Sequence, residues 1–303
     1  MYIFFRIVSC HTDMAAIRVR KFDPKTIKES RIIFIIGKRH TGKSVLMKDI
    51  LYNMPRPDFV LAMAPTEDTL RMYREFLPEA CIFDHFSQEK LDNTVAVQRE
   101  LVSRGKKRTV LIILDDCLYQ KNVLKSTSMR SIFFNGRHDH IGLVCAAQYL
   151  MDVEVSLRTN IDYVFSMREN ILLNRQKMYK NYYGQFKSFS DFGKVMTAST
   201  QDYRTLVLDG TKSTSSNPTD SVMWYKASTD VPGFRLCKRM YWKWSQKYGL
   251  SDSAVRRAQQ RQFQIDTAGC GAGKRANTGI TLVRTEDEHG NVVEPTPAPV
   301  TNA

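Results

Sequence analysis

The sequence predicts an α/β fold in which a mainly parallel sheet is flanked by helices. Three observations predict it. Short apolar runs at Ile32–Ile36, Thr109–Leu114 and Ile141–Ala147 read as strands buried on both faces. Segments with apolar residues at helical spacing, such as Ser87–Arg104, separate them. The three runs lead into Gly37, the Asp115–Asp116 pair and Gln148. Ligands of parallel sheets collect at the carboxyl ends of strands, where all of these fall.

Taken in order, Met1–Val8 is an edge strand or an extension ahead of a start at Met14. Ile17–Phe22 alternates as a strand and is ended by Asp23-Pro24. Polar Lys25–Ser30 leads into the strand at Ile32, and a helical pattern follows from Val45 to Leu51. Pro57–Ala64 and Cys81–Phe86 read as strands around a helix at Asp68–Phe76. Ser87 suits the N-cap of the next helix. Ser126–Asn135 reads as a helix, Val153–Arg158 as a short one, and Ile161–Met167 as a further strand. Beyond Asn170 the pattern shifts to two helices, Leu172–Tyr183 and Phe186–Met196. Strands at Thr205–Gly210 and Met223–Ala227 flank a Ser/Thr/Pro turn, and a basic, aromatic stretch runs from Phe234 to Tyr248. Ser251–Ile265 reads as a polar helix, and Gly, Thr, Asn and Pro dominate from Asp266, the composition of disorder. The expected organisation is an N-terminal extension (1–30), a core (31–212), a C-terminal appendage (213–265) and a disordered tail (266–303).

With 303 residues, 43 % of them hydrophobic, the chain can bury a sizeable core. Its net charge of +14 favours a polyanionic partner, nucleic acid first and an acidic membrane surface second. The six cysteines form no C-x-x-C, which argues against a zinc ribbon, and Cys81, Cys117 and Cys145 lie in apolar runs as reduced core residues of an intracellular protein. No apolar run reaches the ~18 residues a membrane span needs.

The most informative stretch is Arg31–Ser44, RIIFIIGKRHTGKS. It fits the phosphate-loop pattern G-x-x-x-x-G-K-[ST] at every fixed position, between a strand and a helix. Gly37 and Gly42 let successive N–H groups turn inward as an anion nest, with Lys38, Arg39, His40 and Thr41 between them. The helix opening near Lys43 aims its first N–H groups at the phosphates. Lys43 can reach the β- and γ-phosphates, and the Ser44 hydroxyl can hold Mg²⁺. The expected cofactors are therefore a nucleoside triphosphate and Mg²⁺.

Asp115 and Asp116 supply what the loop lacks. Asp115 is the expected Mg²⁺-side carboxylate, and Asp116 can polarise the attacking water; a capped turn is the plainer account of the pair. Gln148 can donate to the γ-phosphate and orient water, or simply face solvent at a strand tip. A cation on the developing charge is expected from Arg137 or Arg158, each otherwise a surface arginine. Two decoys fail. Gly269–Arg275 lacks the preceding strand and the Ser/Thr after Lys274, and His138-x-His140 has no further ligands. No N-K-x-D element is present, which argues against a GTPase.

The segments GKRHTGKS, VLIILDDC, NGRHDHIGLVCAAQY and LRTNIDYVFSMRE, in this order and spacing, resemble the DNA-packaging ATPases of large nucleocytoplasmic DNA viruses, in the FtsK/HerA branch of P-loop ATPases. The resemblance covers about Ile17 to Thr211. It implies a P-loop NTPase with a RecA-like core, ATP hydrolysis, a homo-oligomeric ring, and translocation of double-stranded DNA into a capsid at a portal-like vertex. It also implies a place in the viral factories of the host cytoplasm or in the virion. By that resemblance Lys43, Ser44, Asp115, Asp116 and Gln148 carry the family's roles, with Arg137 first choice for the trans-acting arginine. Asp116 stands where many relatives have Glu. Two other readings remain open: a nucleotide or nucleoside kinase, and a nucleotide-gated DNA-binding scaffold with little turnover. For DNA contact the sequence offers Lys238–Trp244, whose aromatics could equally pack the C-terminal region onto the core.

Overall fold

The computed structural model describes residues 2–5, 17–118, 123–148, 153–212 and 218–248. In chain order the elements are β1 (Tyr2–Phe5), β2 (Ile17–Lys21), β3 (Ile32–Ile36), α1 (Lys43–Asn53), β4 (Phe59–Met63), α2 (Glu67–Arg74), β5 (Ile82–Phe83), α3 (Gln88–Ser103) and β6 (Val110–Asp115). They continue with α4 (Thr127–Asn135), β7 (Ile141–Ala147), α5 (Val155–Arg158), β8 (Tyr163–Ser166), α6 (Leu172–Tyr182), α7 (Phe189–Ser199), β9 (Arg204–Asp209), α8 (Pro218–Ser221), β10 (Val222–Lys226) and α9 (Arg239–Tyr248). The helix expected at Ser251–Ile265 and the disorder expected from Asp266 lie outside the described residues. No described helix is long and apolar enough to cross a membrane.

All ten strands join one sheet in the order β1-β2-β10-β9-β8-β3-β7-β6-β4-β5. From β8 to β5 every pairing is parallel, with Ile36 opposite both Ala147 and Ser166, and Asp115 opposite Ala146. This block is the parallel sheet expected from the sequence. The rest departs from it: β9 runs antiparallel to β8 and to β10, and β1 antiparallel to β2, while β2 and β10 are parallel. The sheet also runs across the boundary expected at residue 212, because β10 is seated between β9 and β2. The strand expected at Cys81–Phe86 shrinks to β5, since Cys81 is taken into a 3₁₀ turn and Asp84 pairs with His85 at 2.6 Å beyond the strand.

Both faces of the sheet are covered, so the β3 residues are all buried. One face carries Phe34, Ile112 and Leu143 against Met129 and Phe133 of α4 and Phe192 of α7. The other carries Ile33, Ile35, Val144 and Ile113 against Leu46, Met47 and Ile50 of α1 and Tyr73 of α2. Ser87 and Ser126 cap α3 and α4 by accepting from the Lys90 and Met129 N–H groups.

The basic, aromatic stretch is folded onto this core. Phe234 stacks on Phe76 at 4.7 Å, Leu236 N–H donates to Phe76 O, and the Tyr241 ring lies 5.1 Å from Phe59. Lys238 is neutralised by Asp58 at 2.6 Å, and Trp242 donates its indole N–H to Leu236 O. Packing therefore accounts for Lys238, Tyr241 and Trp242, leaving Arg239, Lys243 and Trp244 as exposed side chains.

Candidate active site

β3 delivers the chain to Gly37, whose N–H donates to Ala147 O at the end of β7. A Cβ at Gly37 would lie 2.6 Å from Met167 Sδ and 2.7 Å from Thr41 Oγ1, so only glycine fits this close approach. Thr41 folds back and donates its hydroxyl to Lys38 O at 2.7 Å. His40 and Gly42 both take positive φ, +62° and +93°, and Lys43 opens α1 immediately afterwards. No side chain caps α1. The leading N–H groups of a helix without such a cap are available to seat an anion.

Lys43 Nζ lies 2.9 and 3.3 Å from the two carboxylate oxygens of Asp116. The strand order explains how residues so far apart in sequence meet: β6 is separated from β3 only by β7. Asp116 leaves β6 with φ +50° while its N–H donates to Ala146 O. Gln148 follows the end of β7, the strand that lies between β3 and β6. The structure thus places Gly37, Gly42, Lys43, Ser44, Asp115, Asp116 and Gln148 at the carboxyl ends of the neighbouring strands β3, β7 and β6.

Asp115 is buried, and Tyr73 donates its hydroxyl to Oδ2 at 3.0 Å. Burial pushes the Asp115 carboxyl up to about 6; the Tyr73 bond and Lys43 oppose the rise, and Asp116 adds to it. A folded-state pKa above the unfolded 3.8 means that folding favours the protonated form. That contribution is complete below pH 3.8 and is lost as pH rises through about 6. Above pH 6 the buried carboxylate costs about 3 kcal/mol. In Mg²⁺-free, nucleotide-free protein, Asp115→Asn should therefore melt above wild type at pH 8, with the advantage gone at pH 4; equal melting at pH 8 would refute this account.

The residues fit a hard cation: Asp115, Asp116 and the Ser44 hydroxyl are oxygen donors beside the phosphate seat. Among the described residues no three His, Cys, Asp or Glu side chains cluster as a ready-made metal site. The cation's remaining ligands would be phosphate oxygens and water. Cys117, next in the chain, is no nucleophile: it donates to Met63 O, and burial pushes its thiol up to about 12.

The side chains of the remaining candidates have surroundings of their own. Lys38 pairs with Glu169 at 2.6 Å. Glu169 is buried and also accepts from Ile171 N–H and the Asn174 amide; despite burial, these partners hold its carboxyl below the usual range. Lys38 is thereby a brace between the loop and the segment after β8. Arg39 and His40 are exposed at the loop's tip.

Arg137 does not join the site of its own chain. It donates to Asp162 at 2.5 Å, together with Arg31 at 2.8 Å and Ile32 N–H at 2.9 Å. These groups sit at the amino ends of β3, β7 and β8. That is a whole strand away from Gly37, about 16 Å at 3.3 Å per residue. Arg158, the other candidate, is half-buried near the Tyr182 ring. Sequence reasoning missed Tyr73 and Glu169; the only local signal was a carboxylate two residues past Met167.

The family described as Poxvirus A32 protein matches residues 19–217. The chain is 37 % identical over 196 residues to protein 088R of Invertebrate iridescent virus 3, covering 64 % of this chain and 75 % of that one. It is 30 % identical over 217 residues to protein L437 of Acanthamoeba polyphaga mimivirus, covering 68 % and 76 %. Among solved structures it is similar to the genome packaging NTPase B204 from Sulfolobus turreted icosahedral virus 2 in complex with ATP-gammaS, with TM-score 0.47 and 15 % identity over 68 % of this chain and 99 % of that one.

Proposed function

We propose, from the premise that this chain belongs to the poxvirus A32 protein family, that it is an ATP-hydrolysing motor driving double-stranded viral DNA into a capsid. The observation that carries the reading is the Lys43–Asp116 contact. It joins a phosphate seat to a carboxylate pair, and binding alone requires only the first. The net charge of +14 suits a duplex partner.

Lys43 leaves Asp116 to take the β- and γ-phosphate oxygens as the nucleotide enters. Asp116, released, accepts a proton from a water that Gln148 orients. The water oxygen bonds to the γ-phosphorus as its bond to the β–γ bridging oxygen breaks. Asp115 and Ser44 hold Mg²⁺, which when bound neutralises charge on the phosphates. A neighbouring subunit in a ring supplies the remaining cation, and a capsid vertex is the docking partner, in the viral factory of the host cytoplasm.

Phosphate release by the purified chain, measured with and without duplex DNA and Mg²⁺, tests the motor. Turnover should need Mg²⁺ and rise severalfold with DNA. Intact turnover indifferent to DNA would overturn the motor, and transfer of the phosphate to a nucleoside or nucleotide would make the protein a kinase.

A further inference from the structure

Beside the phosphate loop lies an aromatic ring with no task in the chemistry above. Tyr203 directly precedes β9, and the residue is 74 % exposed. It has no hydrogen-bond or ring partner among the described residues. Asp202 and Tyr203 both take left-handed backbone, φ +51° and +59°. Side chains of this size rarely adopt that conformation, and an exposed ring gains no burial to offset it. The turn is nevertheless well braced. Arg204 donates its N–H to Gln201 O and pairs with Asp202 at 3.1 Å, and its guanidinium lies 5.5 Å from the Trp224 ring.

The topology says what the ring faces. β9 is antiparallel to β8, with Leu206 opposite Ser166, so its first residues stand at the edge where β3 delivers the loop. A Cβ at Gly42 would lie 3.6 Å from Tyr203 Cδ1, which is van der Waals contact. In the order β9-β8-β3-β7-β6, Tyr203 and the Asp115–Asp116 pair lie two strands from the loop on opposite sides. A triphosphate whose terminal phosphate faces Asp115 and Asp116 therefore has its nucleoside end toward β9.

We infer that Tyr203 is the platform on which the base of the bound nucleotide stacks. The inference rests on the nucleotide-binding reading of the loop. A phenol ring offers its face and reads no base edge, so the platform serves purine nucleoside triphosphates as a class. The strained turn holds the ring in place before the base arrives, which lowers the ordering cost of binding.

Calorimetric titration of the full-length protein with ATP, GTP and inorganic tripolyphosphate tests it. Tyr203→Ala should weaken ATP and GTP about tenfold, the loss of one base–aromatic stack, and leave tripolyphosphate as in wild type. Tyr203→Phe should bind all three as wild type does, and Lys43→Ala should weaken all three. Unchanged ATP binding in Tyr203→Ala overturns the platform. Equal weakening of tripolyphosphate also overturns it, because the turn would then be shaping the loop. If wild type binds neither ATP nor tripolyphosphate, or Lys43→Ala weakens neither, the nucleotide reading itself falls.

Discussion

Lys43→Ala should lower ATP turnover on the order of 10²–10³-fold, the range for losing one preorganised donor to transition-state charge. The side chain is only 11 % exposed, so water cannot easily replace it beside the phosphates. Its removal also leaves Asp116 near Asp115 without its cation, which raises the Asp115 carboxyl further. Asp116→Asn should lose about 10²–10⁴-fold by removing the proton acceptor. Because the two act as a unit, the double variant should fall far short of the product of the single losses. Steady-state phosphate release at saturating Mg²⁺ and ATP reads all three. Turnover of Lys43→Ala within a few-fold of wild type would remove the loop from the chemistry.

The largest stability effect should come from Asp162. Its side chain is 0 % exposed and takes donors from Arg31, Arg137 and Ile32 N–H. Asp162→Ala leaves a half-buried guanidinium and a strand N–H without their acceptor, a loss of about 3–5 kcal/mol. Arg137 is 62 % exposed, and solvent takes over its charge, so Arg137→Ala should cost under about 1 kcal/mol. Denaturant melts of the two variants read the difference. The same pair tests the arginine chosen from the sequence. If Arg137 is only a clamp, Arg137→Ala keeps its turnover; collapse of turnover in the assembled protein, with melting unchanged, would give it back a role across a subunit boundary.

Much of the site was legible because its chemistry is written in consecutive residues. Gly37 to Ser44 is one loop, and Asp115-Asp116 closes one strand, so each carries its own local signal. Gln148 was legible by the same strand-end logic. What could not be read depends on packing between elements. Tyr73 looks like an ordinary apolar-face residue of α2 until α2 packs under β6. The ion pair of Lys38 with Glu169 needs the segment after β8 to come beside the loop. The contact of Arg137 with Asp162 forms only where three strand ends converge. In the fold, period and composition marked β9 and β10 as strands but said nothing of direction, and the long connection from β8 to β9 gave no reason to expect antiparallel pairing. Tyr203 has the weakest signal of all, since a positive φ at a non-glycine residue leaves no mark on the sequence.

The seat of β2 sets an order of events during synthesis. Its inner neighbour is β10, with Arg20 opposite Met223 and Phe22 N–H donating to Trp224 O. At 5–20 residues per second the ribosome reaches that partner about 10–40 s after making β2. In that interval the parallel strands around the loop can already pair with one another, while β2 has no inner edge to join. The nascent chain thus carries β2 with β1 as its one available partner through most of its production, and β2 joins the rest of the sheet only when Val222–Lys226 emerges.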